Sequence, residues 1–454
     1  MFEEMTVTEQ LLALVEERKF TALRQALADM NEVDIAALFE ELDSSQALVV
    51  FRLLPKGAAA EAFAYMESET QERLIGVLTN KELALVMDEL NMDDAADLIE
   101  EMPASVVKRV LRMTDPADRR VINQLLKYPE HSAGSVLTTE FVRLKGGMTA
   151  EEALQHIRRA GPDKETIYTC YVTDDNRHLE GVVSVKELLL AQDEAVVSEL
   201  MTTNVISVVT TEDQEEVAGL FAKYDLIALP VVDSENRLVG IITVDDVVDI
   251  IEQETTEDIE KMAAVLPSER SYFKTGVGET FCKRIPWLIL LMLSATITGM
   301  IISGFENALS SMVALVAYMP MLMGTGGNCG SQSSVTVIRG LAIGDIAFRD
   351  TMRVIWKELR VSVMCGVVLA AANFVKIILF DNLLLRNDVS LIVALVVSLT
   401  VLVTVIIAKL VGCTLPLLAK KCGFDPAVMA SPFITTIVDA VSISVYFAIA
   451  TSFL

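Results

Sequence analysis

Histidine and paired cysteine are what this sequence lacks. Its three histidines, His131, His156 and His178, all fall in the first half of 454 residues. Its six cysteines (Cys170, Cys282, Cys329, Cys365, Cys413, Cys422) form no CxxC pair and no finger-like spacing. A zinc or iron centre is therefore not expected, and reduced structural thiols are the default. A cleavable leader is missing too. The opening MFEEMTVTEQLLALVEERKF is acidic and amphipathic, which keeps the start of the chain in the cytosol.

Charge of one sign is also scarce, but only locally. The net charge is −26, yet 52 % of residues are hydrophobic and mean hydropathy is +0.45. From residue 281 onward there are 12 Lys and Arg against 8 Asp and Glu; the first 280 residues hold 25 against 55. A strongly acidic soluble part is thus joined to an apolar, mildly basic part. The acidic part repels nucleic acid and anionic membrane surfaces, so neither is an expected partner, and it attracts cations. Excess acid also keeps a soluble domain soluble, and charge alone does not separate the two roles.

Five apolar segments follow, at about 285–304, 311–335, 360–380, 389–411 and 427–453, each near or above the roughly 20 residues a spanning helix needs. Lys283 and Arg284 precede the first. Arg339, Arg349, Arg353, Lys357 and Arg360 crowd the link between the second and third, and Lys420 and Lys421 lie between the fourth and fifth. The opposite links offer only Arg386. Positive links face the cytosol, so a multi-pass protein of the cell membrane is expected, with the N-terminus cytosolic and the C-terminus outside.

Asp439 stands alone in SPFITTIVDAVSISVYFAIATSFL, at mid-membrane depth. A carboxylate there costs about 2.5 to 3.5 kcal/mol by insertion scales. Hydroxyls of Thr435, Thr436 or Ser442 are one way to satisfy it; a cation in a wet path is the other. Lys376 is read as the only base within a span on the opposite half, close enough to a helix end to snorkel, so no internal partner is expected. The second segment, PMLMGTGGNCGSQSSVTVIRG, mixes glycines with amides and hydroxyls. Small residues suit close helix packing, but a polar, Gly-rich helix in a bilayer also suits the wall of a wet cavity. Oxygen donors without imidazole or thiolate suit hard cations such as Mg²⁺ or Ca²⁺.

The soluble part carries two repeats. DIAALFEELD (34–43) echoes DAADLIEEMP (94–103), with apolar residues three and four apart, which predicts an all-α superhelix of short helices. VLTTEFVRL (136–144) matches LMTTNVISV (200–208), and LEGVVSVKELL (179–189) matches LVGIITVDDVV (238–248). Each half reads as strand, helix, β-hairpin, helix. This pattern resembles a tandem CBS pair, an α/β module whose clefts can take adenine nucleotides such as ATP. After it, Asp246, Asp249, Glu254 and Glu257 run along one side of a helix leading to the membrane. Such a face is either simply solvated or awaits a cation.

Together these features resemble the MgtE family of magnesium channels, over essentially the whole chain, with GTGGNCGSQS and FITTIVDA the specific motifs. The division this implies is an acidic helical N domain (1–132), a CBS regulatory pair (133–250), a connecting plug helix (251–280) and a five-helix α transmembrane pore domain (281–454). The resemblance implies a homodimer, a non-enzymatic Mg²⁺-selective channel for uptake, closed by cytosolic Mg²⁺ bound between these acidic surfaces. A broader Mn²⁺/Co²⁺ secondary transporter with CBS regulation is the alternative. It also implies Asp439 as the pore carboxylate, near Gly324, Gly327 and Asn328. Implied sensor acids are Asp93, Asp97, Asp213, Glu215, Asp225, Asp246, Asp249, Glu254, Glu257 and Asp425. Where the family more often reads GNQ this chain reads GSQ, which puts Ser331 at the site of that amide.

Overall fold

The computed structural model describes residues 7–268, 272–273, 275–305, 313–384, 389–429 and 431–453, in two compact units, 1–250 and 251–454. Arg386 lies outside the described residues.

The first unit begins with ten short helices: α1 (Val7–Glu16), α2 (Phe20–Ala28), α3 (Glu32–Glu41), α4 (Ser44–Leu53), α5 (Lys56–Ala64), α6 (Ser68–Val77), α7 (Asn80–Glu89), α8 (Met92–Glu101), α9 (Ala104–Met113) and α10 (Asp118–Leu125). From α2 to α9 they start every 12 residues. The echo between 34–43 and 94–103 is five of these periods. One core position repeats at the same interval through Leu27, Phe39, Phe51, Phe63, Ile75, Met87 and Ile99, all buried. Each helix is too short to hold together alone, since isolated helices below about 12 to 15 residues are marginal in water. Caps and packing supply the rest. Asp43 and Thr79 cap α4 and α7 in reciprocal boxes with Gln46 and Glu82, and Asn31 accepts from Val33 N–H at 3.0 Å. Helices α3, α5, α7 and α9 stack in one row, with α4 on α6 and α8 on α10 beside it. The expected superhelix is present.

The duplicated module follows as two three-stranded sheets. One comprises β1 (Phe141–Leu144), β2 (Thr166–Thr173) and β3 (Leu179–Ser184); the other comprises β4 (Val208–Val209), β5 (Ala228–Val232) and β6 (Leu238–Thr243). In each the first pair is parallel, crossed by a helix, and the second is an antiparallel hairpin. The crossing helices are α11 (Ala150–Ala160) and α14 (Gln214–Tyr224). The shorter α12 (Val185–Leu190) and α13 (Val197–Leu200) pack into the core of the first sheet. The halves exchange segments. Gly240 of the second lies under Leu137 and Thr138 of the first, and Gly181 of the first lies under Met201 and Thr202 of the second. A Cβ on Gly240 would fall 2.5 Å from the Thr138 carbonyl oxygen, so only glycine allows that crossing.

The connecting helix, α15, spans Val244–Met262. It starts inside the span expected for the CBS pair and ends well before residue 280: Ala263 and Ala264 form a turn, with Ala264 at φ +55°. The acidic run is therefore one helix, but it is not continuous to the membrane.

In the second unit, α16 (Val277–Gly304), α17 (Met319–Ala342), α18 (Thr351–Lys376), α19 (Leu391–Lys421) and α20 (Ser431–Phe453) succeed one another. A π-helical stretch, Ile377–Leu384, extends α18. Four of these helical stretches are long and apolar enough to cross a membrane, namely those containing α16, α18, α19 and α20. The Gly-rich α17 is not among them. It is nonetheless central. It packs on both α19 and α20, and a methyl on Gly412 would overlap the Gly330 carbonyl. Helices α17 and α19 thus meet backbone to backbone.

Candidate ion pathway and acidic sensor

Asp439 is the ninth of the 23 residues of α20, about 12 Å along it at 1.5 Å per residue. None of the three hydroxyls considered for it reaches its carboxylate. Thr435 and Thr436 donate to the Pro432 carbonyl at 2.9 and 3.0 Å, and Ser442 Oγ is buried with no partner. Among the described residues nothing hydrogen-bonds or ion-pairs with the Asp439 carboxylate, which is half-buried. Glycines of α17 bracket it. A Cβ on Gly326 would meet Val438 and Ser442 at 2.9 and 2.8 Å, and one on Gly327 would meet Thr435 at 2.9 Å.

These contacts sort the expected pore residues by face. Gly324 and Asn328 are exposed and Ser331 is half-buried, at i, i+4 and i+7, so they share the open side of α17. Gly326, Gly327 and Gly330 form the packed side. Gly327 thus lies in the seam with α20, one turn of that helix from Asp439.

A second polar cluster was missed by the sequence reading. Ser333 of α17 donates to Glu358 Oε2 at 2.6 Å, Lys409 Nζ of α19 approaches Ser333 Oγ at 3.3 Å, and Lys409 and Glu358 form an ion pair at 3.7 Å. All three side chains are buried. Lys376 is thus not the only base within a span, as the apolar run 389–411 itself contains Lys409. Nor does Lys376 snorkel unpaired, because Asp381 accepts from it at 3.0 Å and from Tyr318 Oη at 2.9 Å. The signal was a single cation inside the most hydrophobic helix, diluted by averaging.

In the first unit, Asp93 and Asp246 come together with four acids the sequence reading left out, Asp94, Glu140, Glu165 and Asp245. Burial, then repulsion from Asp94, pushes the Asp93 carboxyl to about 7. Burial, then Asp93, pushes Asp246 to about 7 despite its hydrogen bond from Thr243 Oγ1 at 2.7 Å. Glu140 rises to about 7, Glu165 to about 8 and Asp94 to about 6, each chiefly through desolvation with neighbouring acids adding. Asp97 reaches the surface, and its carboxyl is pushed up by the same causes. Asn91 donates to Glu165, tying α8 to the first sheet.

The other expected sensor acids are dispersed. Asp213 caps the start of α14, accepting from Glu215 N–H at 2.8 Å, while Asp225 ends that helix in a left-handed turn at φ +51°. Asp249 is exposed on α15. In the second unit, Lys261 pairs with Glu257 and with Asp425, the latter at 2.6 Å. Partial burial opposes its charge, but these two bonds hold its pKa above the ordinary lysine value. Asp258 is pushed up by burial, then by Asp425, with Glu254 and Glu257 adding repulsion against the pull of Lys261. Among the described residues no three acidic, His or Cys side chains converge closely enough to hold a metal ion.

Comparisons with known proteins agree with this layout. A family model described as divalent cation transporter matches residues 319–449, the MgtE intracellular N domain matches 30–131, and the CBS domain matches 133–194 and 197–253. The magnesium transporter MgtE of Thermus thermophilus is 39% identical over 99% of this chain and 98% of its own. That of Bacillus subtilis is 34% identical over 100% and 99%. Among solved structures, the cytosolic domain of the Mg²⁺ channel MgtE in complex with ATP is 41% identical, with a TM-score of 0.51 over 54% of this chain and 100% of that one. The soluble part of a magnesium transporter is 28% identical, with a TM-score of 0.51 over 54% and 97%.

Proposed function

Because the chain belongs to the MgtE family of magnesium transporters, we propose that it works as a Mg²⁺-selective channel of the cell membrane, a homodimer closed by cytosolic Mg²⁺. The observation that carries this reading is Asp439: a half-buried carboxylate on a spanning helix that packs on the Gly-rich α17, unpaired among the described residues. A two-fold axis would bring two such carboxylates and two Asn328–Ser331 faces to one passage. Mg²⁺ dehydrates reluctantly, so the acids hold a largely hydrated ion through its waters. Helix α17, too polar to cross on its own, is the fifth crossing because α19 and α20 cover one side and the aqueous path the other. The N-terminus is cytosolic and the C-terminus outside, following the basic links.

Closure uses the acidic surfaces. The donor sets around Asp93 and Asp246, and around Glu254, Glu257 and Asp425, contain carboxylates without sulfur or imidazole, which suits a hard divalent cation. Protons and Lys261 hold these charges in the metal-free chain. Mg²⁺ taking their place draws facing acids together and moves α15, and a full switch needs about 5.5 kcal/mol of differential binding summed over sites. Asp213, Glu215, Asp225 and Asp249 join across surfaces that compaction brings near. ATP binding at the CBS pair is supported by the relative solved with ATP and by Tyr171 Oη, buried where the two sheets meet and without a partner.

The test is Mg²⁺ uptake in cells lacking other importers. Asp439→Ala is expected to cut uptake to near background with the protein still in the membrane; uptake at the unmodified level removes the role. The family description, a divalent cation transporter, also admits a Mn²⁺/Co²⁺ carrier. Single-channel recording separates the two, since a carrier gives no unitary currents.

A further inference from the structure

At the end of α17 opposite Tyr318 the chain makes a short turn, 343–347, before α18. Gly344 takes φ +75°, and Ile346 folds back so that its N–H donates to the Gly340 carbonyl at 2.8 Å. Between this turn and the last turns of α19 lies a cleft of about 310 Å³, walled by Leu341, Ile346, Phe348, Leu417, Lys420 and Lys421. From these features we infer that the cleft binds an anionic phospholipid, its phosphate between Lys420 and Lys421 and its upper acyl carbons on Leu341, Ile346 and Leu417.

Three independent features support this. The first is charge without a partner. Lys261, Lys283, Lys376 and Lys409 of this unit each have a carboxylate within ion-pair distance. Lys357, Lys420 and Lys421 have none among the described residues, and of these three Lys420 and Lys421 line the cleft. Lys420 reaches only the Leu341 carbonyl, at 3.4 Å, and Lys421 lies 4.9 Å over the Phe348 ring. Both ammoniums are thereby aimed at the cleft with most of their donors unused. The nearby acids are spent or turned out, as Asp350 pairs with Arg353 at 3.1 Å and Asp345 is exposed.

The second feature is depth. Helix α19 has 31 residues, about 46 Å, while a bilayer with its headgroup layers is about 40–45 Å thick. If Leu391 enters at one headgroup layer, Lys420 and Lys421 leave at the other. The third is the rim. Phe348 in the wall is half exposed, and Ile343, Leu418 and Phe424, each within three residues of a wall residue in the chain, are half or more exposed. Apolar and aromatic groups mixed with lysines are what a lipid interface selects and an aqueous phosphate site does not.

Native mass spectrometry of the full-length protein in detergent, titrated with phosphatidylglycerol or phosphatidylcholine, tests the inference. Retention of phosphatidylglycerol over phosphatidylcholine is expected, falling roughly tenfold or more in Lys420→Gln/Lys421→Gln and returning with Arg at both positions. The single exposed change Lys421→Gln should give a smaller loss of the same sign, which keeps the test open if the double variant does not fold. Equal retention in all proteins overturns the site. So does displacement by millimolar glycerol 3-phosphate, which would mark a free-phosphate site. A change in oligomer mass without a change in lipid retention overturns it too, marking a contact between copies.

Discussion

Lys261 Nζ lies 2.6 Å from Asp425 Oδ2 and also reaches Glu257, so one ammonium is shared by two of the acids proposed to sense Mg²⁺. A tethered cation on a sensor competes with the free one. Replacing Lys261 with Met should therefore lower the Mg²⁺ concentration that half-closes the channel, by about an order of magnitude, as read from currents in excised membrane patches at stepped cytosolic Mg²⁺. Glu254→Ala/Glu257→Ala should do the reverse and leave currents that high Mg²⁺ no longer suppresses. An unchanged half-closing concentration in both variants would separate this cluster from gating.

The glycines of α17 should divide by face. Around Gly324 a new Cβ meets nothing within 4 Å, so Gly324→Ala should leave the melting temperature unchanged or raise it, Ala being the better helix former by about 1 kcal/mol. Gly412→Ala, facing the Gly330 carbonyl, should lower it by several degrees or prevent assembly. Thermal unfolding in detergent compares them directly; equal effects would mean that the helices do not cross at backbone contact.

The Glu358–Lys409 pair should behave as a buried ion pair does. Lys409→Met leaves a carboxylate buried and unpaired, a loss of about 3 to 5 kcal/mol. Changing both, Glu358→Gln with Lys409→Met, should recover much of that loss. A double-mutant cycle on unfolding free energy measures the coupling, and additive single effects would show that the pair contributes nothing jointly.

The acids around Asp93 give a pH dependence whose sign can be worked out. Their folded pKa values, about 6 to 8, lie above the ordinary 3.8 and 4.5 for Asp and Glu. The folded state then binds more protons than the unfolded one. This contribution is complete below about pH 4 and is lost as pH rises through 6 to 8. Without Mg²⁺ the melting temperature of the full chain should fall between pH 6 and pH 8.5, and saturating Mg²⁺ should reduce that fall. A flat profile without Mg²⁺ would mean that the carboxylates are already ionised in the fold.

Much of this architecture is visible in the letters because it is periodic. Duplicated TT segments, helix amphipathicity and long apolar runs are local patterns, and four of the five apolar runs fall in helical stretches long and apolar enough to cross a membrane. The 12-residue register through Phe39, Phe51 and Phe63 showed in the letters only as the echo between 34–43 and 94–103, because its N-cap residues vary (Asn31, Asp43, Pro55, Glu67, Thr79) and mask the repeat. Other features depend on which way a helix is turned. Gly324 and Gly327 are three residues apart in one motif, and only the neighbours of α17 decide which meets solvent and which meets Thr435. Lys409 follows directly on one of the most apolar stretches of the chain, 391–408, and Glu358 sits beside it only because α18 and α19 pack together. Glu140 and Glu165 join Asp93 from separate strands of chain, which no spacing rule anticipates.

The exchange of segments between the CBS halves has a consequence for how the sensor fails. Because Gly181 and Gly240 each lie beneath a bridging segment from the opposite repeat, neither repeat is complete until both are in place. The ancestral duplication is therefore no longer divisible. Truncation or injury in one copy disables its twin as well, and a chain translated only to residue 195 would carry no working half.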